Sequence, residues 1–261
     1  MPALRTINGN YTVTNSADID MLANYAEVAG TLVVEAPGMT SLAGLEHLER
    51  VRHLVIENCD SLVDLEGLSG LQHVQSVRIA NNALLGSLWG LHNVEGRVDA
   101  VDVESNPQLS QLAAFGRVDE VAGYISIYGN RNLHSVDGFA QLKEAGGFLI
   151  IQENPILNDI SSFHSLERVG NGVIIRSNAT LNTLRGLEQL TTVQALEIED
   201  NQKLMRLIDL MRLAGIAQDL RIRANPALPM CEAYALRDRV AAVGAIGGDV
   251  VVEANGSGSC N

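Results

Sequence analysis

The chain has 261 residues; 46% are hydrophobic and only 4% aromatic, so a core can form but must consist of Leu, Val and Ile rather than of rings. The formal net charge of −13 opposes binding to nucleic acid and to anionic lipid. No run of about 18 uninterrupted apolar residues is present, and we therefore predict no membrane insertion.

The N-terminal residues 1–30 are predicted to form a cap that covers the first coil of a repeat array. Residues 11–14 alternate as a strand does, and Ser16 is a suitable N-cap for a helix from Ala17 to about Val28. Ile19, Leu22 and Ala26 would face the first coil. The first residues, Met1 to Arg5, lack the basic segment and apolar stretch of a secretory signal, so we expect either an intracellular protein or one that has lost its leader.

From Val34 to Asn255 a block of about 23 or 24 residues recurs nine times, with the pattern apolar-x-apolar-x-x-Asn-x-x-Leu. A fixed period of this length is typical of a leucine-rich solenoid. Side chains of one column repeat at the strand spacing of about 4.8 Å, so the Asn column is predicted to be a buried structural ladder that satisfies turn backbone groups. Its members are Cys59, Asn82, Asn106, Asn130, Asn154, Asn178, Asn201, Asn225 and Asn255.

Each block begins with a short alternating run such as Leu54-Val55-Ile56, which predicts one strand per coil, stacked in parallel. Leu at every third position then follows, as from Leu62 to Leu71, and favours flat coil sides over an α-helix. Pairs such as Gly138-Phe139 mark a corner where Gly permits unusual backbone angles. We therefore predict a mainly β fold with helical caps, a right-handed leucine-rich-repeat-like parallel β-solenoid whose repeats span 31–228.

Residues 229–261 are predicted to form the second cap, with a helix from Cys231 to about Val243 and a last strand over 249–253. Cys231 and Cys260 could close a terminal loop as a disulfide, which requires an oxidising compartment and favours a location outside the cytoplasm. Cys59, in the ladder column, is predicted to be a free buried thiol. We treat 1–261 as a single solenoid domain.

The repeated phrase with Asn and then a Gly-Leu corner, from Ile175-Arg176-Ser177-Asn178 to Leu184-Arg185-Gly186-Leu187, resembles the receptor L-domain family. That family includes the ligand-binding solenoids of insulin and epidermal growth factor receptors, with fungal wall and bacterial surface relatives. The resemblance implies a right-handed solenoid that binds at a cell surface, in an extracellular, surface-attached or periplasmic location. One departure is that the N-terminal helix carries no cysteine, whereas receptor members often brace that cap with a disulfide.

The sequence contains no arrangement that predicts catalysis. Of the six histidines only His92 and His164 share a column, three coils or about 14 Å apart, too far for one metal ion. Neither a Gly-x-Ser-x-Gly nucleophile motif nor a phosphate-binding Gly-rich loop occurs. Asp102 and Glu104 beside Arg78 come nearest to a carboxylate cluster and are predicted to be ion-paired. We expect no cofactor and no metal.

The outward strand positions are the remaining place for a function. Charges of opposite sign are neighbours at Arg78 with Asp102, at Glu197 with Arg221, and at Arg176 with Glu199 and Arg223, which predicts mutual neutralisation. The middle of the same face mixes aromatic, apolar and polar groups, as interface cores do. This central patch comprises Tyr124, Ser126, Tyr128, Phe148, Ile150, Gln152, Ile174 and Glu104.

The leading hypothesis is a non-enzymatic module, a monomer or weak oligomer, that binds a protein or glycan partner through the central patch. The duller interpretation of the patch is a sheet that tolerates a few exposed rings. A second class of function is a structural spacer or adhesin repeat without its own ligand. A third is an enzyme acting on polysaccharides, since β-helices can carry such sites.

Overall fold

Successive repeats place their strands side by side in parallel, in the register that the repeat length predicts. The structure, a computed structural model, describes residues 5–260. Each coil contributes one strand to a 12-stranded sheet, whose spatial order follows the chain from the third strand onward. The protein is therefore a mainly β, leucine-rich-repeat-like parallel solenoid, as the sequence predicts.

The long sheet forms one face of the molecule along its whole length. Its strands are β1 (Arg5–Ile7), β2 (Tyr11–Val13), β3 (Tyr25–Val34), β4 (Arg50–Glu57), β5 (His73–Ala80), β7 (Ala100–Glu104), β10 (Ile125–Tyr128), β13 (Phe148–Gln152), β15 (Gly172–Arg176), β17 (Ala195–Glu199), β19 (Leu220–Arg223) and β20 (Val250–Glu253). Alternate side chains along each strand point into the core or toward solvent, because the side-chain period of a strand is two.

Two smaller parallel sheets complete the coils. A six-stranded sheet contains β6 (Glu95–Val98), β9 (Arg117–Val121), β12 (Glu144–Ala145), β14 (Arg168–Val169), β16 (Thr192–Val193) and β18 (Gly215–Ile216). A two-stranded sheet pairs β8 (Gln111–Leu112) with β11 (Ser135–Val136). The helical segments between the strands of the described coils are short 3₁₀ turns, at Glu66–Leu68, Trp89–Leu91, Ser161–Phe163 and Ile208–Leu210.

The core is a continuous stack of Leu, Ile and Val, as the low aromatic content requires, with one exception. In three consecutive coils the corner position holds Phe115, Phe139 and Phe163 instead of Leu. Their rings stack with centroids 5.6 and 5.2 Å apart. Three stacked aromatic rings thus replace leucines in the core at the middle of the solenoid.

The Asn ladder lies beside this core. Seven asparagines, from Asn82 to Asn225, are fully buried. At Asn106 the side-chain oxygen accepts from the backbone N–H of Asn82 at 3.2 Å, and the side-chain nitrogen donates to the carbonyls of Ile79 and Glu104, both at 3.0 Å. Each ladder residue therefore satisfies backbone groups of its own coil and of its neighbours, which water cannot reach.

The N-terminal cap differs from the sequence prediction in two respects. The helix α1 spans Ser16–Leu22, and its N-cap is Asn15 rather than Ser16, with Asp18 completing a capping box. The predicted extension to Val28 is wrong, because β3 begins at Tyr25 and takes its hydrogen bonds from parallel pairing with β1 and β4. Ile19 and Leu22 are buried as expected, whereas Ala26 lies in the strand. Residues 1–4 of this cap, and Asn261 of the other, lie outside the described residues.

The C-terminal cap consists of the helix α2 (Met230–Val243) followed by β20 at the end of the long sheet. Cys231 at the start of α2 is joined to Cys260 by a disulfide. The guanidinium of Arg239 donates to the backbone carbonyls of Leu210, Met211 and Leu213 at 2.6 to 2.9 Å. The helix thus satisfies backbone carbonyls at the end of the last coil. Neither α1 nor α2 is long and apolar enough to cross a membrane.

Candidate functional site

The solvent face of the long sheet is organised in columns that run from coil to coil. One column contains the pairs Ser76 with Ala100, and Phe148 with Gly172 and then Ala195. Tyr124 directly precedes β10 and, in the same register, lies between Ala100 and Phe148. Two aromatic rings therefore stand at the middle of a column of small residues, and Tyr124 is 43% exposed.

The second column contributes the aliphatic part of the central patch. Ser126 pairs with Ile150, and Ile150 with Ile174, on the neighbouring strands β10, β13 and β15. Both isoleucines are half-buried although they lie on the solvent face. Two adjacent isoleucines thus form an apolar pair at the centre of the sheet.

The third column adds the polar edge of the patch. Tyr128 pairs with Gln152, and its hydroxyl donates to the Glu153 carboxylate at 3.0 Å. The Gln152 amide donates to the other oxygen of Glu153 at 3.2 Å. The hydrogen bond from Tyr128 to Glu153 and the charge of Glu153 raise the pKa of Tyr128 above its ordinary value.

Glu153 is a site residue that the sequence analysis missed. It follows β13 and precedes ladder residue Asn154, with a φ of +56°. The same left-handed conformation recurs directly before other ladder residues, for example at Ala224 with a φ of +56°. The sequence feature that could have identified Glu153 is its position directly before a ladder residue. From this turn a long side chain can reach back over the face of the strand.

An ion cluster borders the patch on its N-terminal side. Arg78 contacts the carboxylates of Asp102, of Glu104 at 3.1 Å and of Glu57 at 3.9 Å. Burial raises the pKa of Asp102, and the positive charge of Arg78 opposes this rise without cancelling it. Glu104 pairs with Tyr128 in register but is engaged by Arg78, so it belongs to this cluster more than to the central patch.

A longer ion network borders the patch on its C-terminal side. Glu199 is only 2% exposed and is held by Arg176 at 3.0 Å and by Arg223 at 2.9 Å. Arg176 also contacts Glu197 at 2.8 Å, which in turn contacts Arg221 at 2.9 Å. The predicted opposite-charge neighbours are therefore in contact across β15, β17 and β19, and their charges are internally compensated.

The His and Cys side chains of the described chain do not gather into a metal site. Within residues 5–260 no three His, Cys, Asp or Glu side chains converge to hold a metal ion. His92 stacks on the exposed ring of Trp89 with centroids 4.6 Å apart, and His53 contacts the Ser76 hydroxyl at 2.7 Å. Cys59 is fully buried, and burial raises the pKa of its thiol.

Comparison with known proteins adds little to this description. No family model matches the chain, and no curated protein does. Among solved structures, an internalin from Listeria monocytogenes matches at 11% identity with a TM-score of 0.38, over 97% of this chain and 82% of the internalin chain. A likeness this distant supports no conclusion about function. The fold assigned above rests on the strand pairing of the chain itself.

Proposed function

We propose that this protein is a non-enzymatic recognition module that binds a protein or glycan partner through the central patch. The observation that carries the proposal is the composition of one stretch of the sheet face. Between the ion cluster around Arg78 and the compensated network around Glu199, the strands β10, β13 and β15 present Tyr124, Phe148, Ile150 and Ile174. Elsewhere along the same columns most positions hold small or charged residues, with His53 and the valines at 33, 55 and 251 toward the two ends, so the Tyr, Phe and Ile side chains of these columns are confined to the middle.

Two physical properties of this patch favour binding. Tyrosine supplies contact area with little loss of rotamer entropy, and interfaces concentrate their energy on such residues. The patch also sits on a rigid parallel sheet whose backbone is ordered before any partner arrives, so little conformational entropy is lost on docking. The protein or glycan partner would be met at a cell surface or in an extracellular or periplasmic space, in keeping with the Cys231–Cys260 disulfide. We include in this proposal that the repeats are related to receptor L-domains, which they resemble.

The test uses substitutions that the sheet already contains in the same columns. Ile150→Ser copies Ser126, and Tyr124→Ala copies Ala100, so both should leave thermal stability nearly unchanged. The control is Val63→Asp, since Val63 is 47% exposed on the outer side of the first coils. The parent and the three variants are compared on a glycan array and in quantitative affinity capture from extracts of neighbouring or host cells.

We expect a ligand that the parent and the Val63→Asp variant bind and that the two patch variants lose. A ligand retained equally by all four proteins would refute the patch as the binding site. If the parent retains nothing on either platform, the alternative of a structural spacer or adhesin repeat gains. Turnover of a polysaccharide in the presence of added calcium would instead support an enzyme.

A further inference from the structure

A second apolar surface lies at the C-terminal end of the solenoid, away from the sheet face. The last full coil carries Met205, Ile208 and Met211, which are 52%, 61% and 58% exposed. They line one side of a cleft of about 700 Å³, whose other side includes Ala235 and Leu236 of α2. Exposure above one half persists although α2 already covers this end of the molecule.

The spacing of these three residues explains why they form one row. The inward leucines of this coil, Leu204, Leu207 and Leu210, recur every third residue. In a chain that turns with this period, the residues that follow them also face a common direction, as side chains three apart do in a 3₁₀ turn. The row is therefore continuous, and it presents two flexible thioethers, a composition that suits adaptable binding surfaces.

The preceding coil shows that the row is not demanded by the fold. One repeat earlier, 23 residues back, the same three positions hold Asn182, Arg185 and Glu188. The backbone N–H of Met205 donates to the carbonyl of Asn182 at 3.2 Å, so the two coils are in direct register. Polar residues are thus accepted at these positions, and the apolar row at the cleft is a local feature of the last coil.

The charges beside the cleft indicate the chemistry of its occupant. Arg206, Arg239 and Glu232 line the cleft, and Lys203, Arg212 and Asp209 lie on the same coil, so four cations stand against two carboxylates in a chain whose formal net charge is −13. Lys203 and Arg206 make no ion pair and no side-chain hydrogen bond with any other residue between 5 and 260. Because charges are screened over about 8 Å at physiological ionic strength, this local excess of positive charge acts on an occupant of the cleft more than the carboxylates elsewhere in the chain do.

We propose that this cleft, defined by Met205, Ile208, Met211, Ala235, Leu236 and Arg206, binds a linear peptide segment of a partner protein that combines apolar side chains with carboxylates. The apolar side chains would enter between the row and α2, and the carboxylates would lie toward Arg206 and Lys203. The site is separate from the central patch, so the protein would have two independent contact surfaces. The disulfide at Cys260 fixes the tail that closes one end of the cleft.

The experiment selects ligands from a displayed library of random linear peptides with the full chain as bait. The affinities of the enriched peptides are then measured by fluorescence anisotropy against four variants. Ile208→Asp and Arg206→Glu alter the cleft, Val63→Asp places a carboxylate at the equivalent position to Met205 on an early coil, and Ile150→Ser alters the central patch. Ile208, Arg206 and Val63 are exposed, and Ile150→Ser introduces the residue type that Ser126 already provides in the same column, so all four variants should fold.

We expect enriched peptides with several apolar residues and a net negative charge. Ile208→Asp and Arg206→Glu should each weaken their binding about tenfold or more, which corresponds to about 1.4 kcal/mol. Val63→Asp and Ile150→Ser should leave the affinity for these peptides unchanged. The result does not depend on whether the central patch binds a ligand. Replacing the Glu and Asp of a selected peptide by Lys should abolish its binding.

Three outcomes would overturn the proposal. Selected peptides could be net basic, or they could bind the Ile208→Asp variant as tightly as the parent. Sedimentation could also show concentration-dependent dimers that Ile208→Asp abolishes, in which case the cleft is occupied by a second copy of the chain and not by a partner's peptide.

Discussion

The hydroxyl of Tyr128 donates to Oε2 of Glu153, a residue one coil further along the solenoid. The contact fixes the orientation of the ring at the edge of the central patch, and Gln152 donates to the other carboxylate oxygen. A turn residue with a left-handed backbone therefore organises the polar border of a surface that lies on the strands.

Replacing Glu153 by Ala should lower the pKa of Tyr128 toward its ordinary value. The neutral phenol is favoured by the hydrogen bond and then by the negative charge of Glu153, and removal of both makes the phenolate easier to form. Alanine is suitable here because Ala224 adopts the same φ at the equivalent turn. The measurement is a pH titration by NMR of tyrosine-labelled protein, with Tyr128→Phe for assignment. Glu120→Ala, on the six-stranded sheet, is the control, and an unchanged Tyr128 pKa in Glu153→Ala would contradict the prediction.

Replacing Cys59 by Asn should stabilise the protein by about 1 kcal/mol. The thiol accepts from the Ala36 N–H and contacts the Val34 carbonyl, both at 3.4 Å, where a ladder amide makes bonds near 3.0 Å. An amide at this position would donate to one group and accept from the other with better geometry.

The urea midpoint of the Cys59→Asn variant tests this expectation. The reverse substitution, Asn82→Cys in the next coil, serves as the matched comparison and should destabilise. Equal midpoints for the two variants would show that the ladder does not discriminate between an amide and a thiol.

Replacing Phe139 by Ala should destabilise the protein by about 3 to 5 kcal/mol. Phe139 is the middle of the three stacked rings, so its removal breaks two aromatic contacts and leaves a buried cavity. Phe139→Leu restores the residue type of the other coils and should cost less, because most of the volume is retained. Thermal unfolding followed by circular dichroism compares the two variants. A smaller loss for Ala than for Leu would indicate that the corner backbone, with a φ of +65° at Phe139, decides the effect.

The repeat made much of this fold predictable. A strand period of two and a fixed repeat length determine which side chains are neighbours, so the ladder, the ion pairs and the columns of the central patch follow from the sequence. Deviations from the repeat were harder to predict. The chain from Ala23 to Val28 carries no repeat signal, and parallel pairing with two neighbouring strands overrides its apparent helical pattern.

Side chains that act outside their own column were also missed. Glu153 reaches a neighbour from a turn, and no column predicts that contact. The cleft beside α2 depends on how far the helix covers the last coil, and the sequence does not encode that coverage in any local pattern. Met205 and Met211 stay more than half exposed because α2 does not cover them, and this depends on the tertiary position of the helix.

Reduction of the Cys231–Cys260 disulfide should loosen the C-terminal cap before the repeats unfold. The bridge closes a loop between cysteines 29 residues apart, for which chain entropy predicts a stabilisation of about 3 to 4 kcal/mol. Its loss should act on β20, because this strand pairs with β19 alone and is followed directly by the tail that carries Cys260.

Hydrogen exchange is the appropriate measurement: the amides of Leu220 and Ala224, which donate to Asp249 and Glu253, should lose protection while that of Asn106 does not. The Cys231→Ser/Cys260→Ser variant should show the same pattern and be insensitive to reductant, which separates the bridge from the buried Cys59. Uniform loss of protection along all coils would mean instead that the cap and the repeats unfold as one cooperative unit.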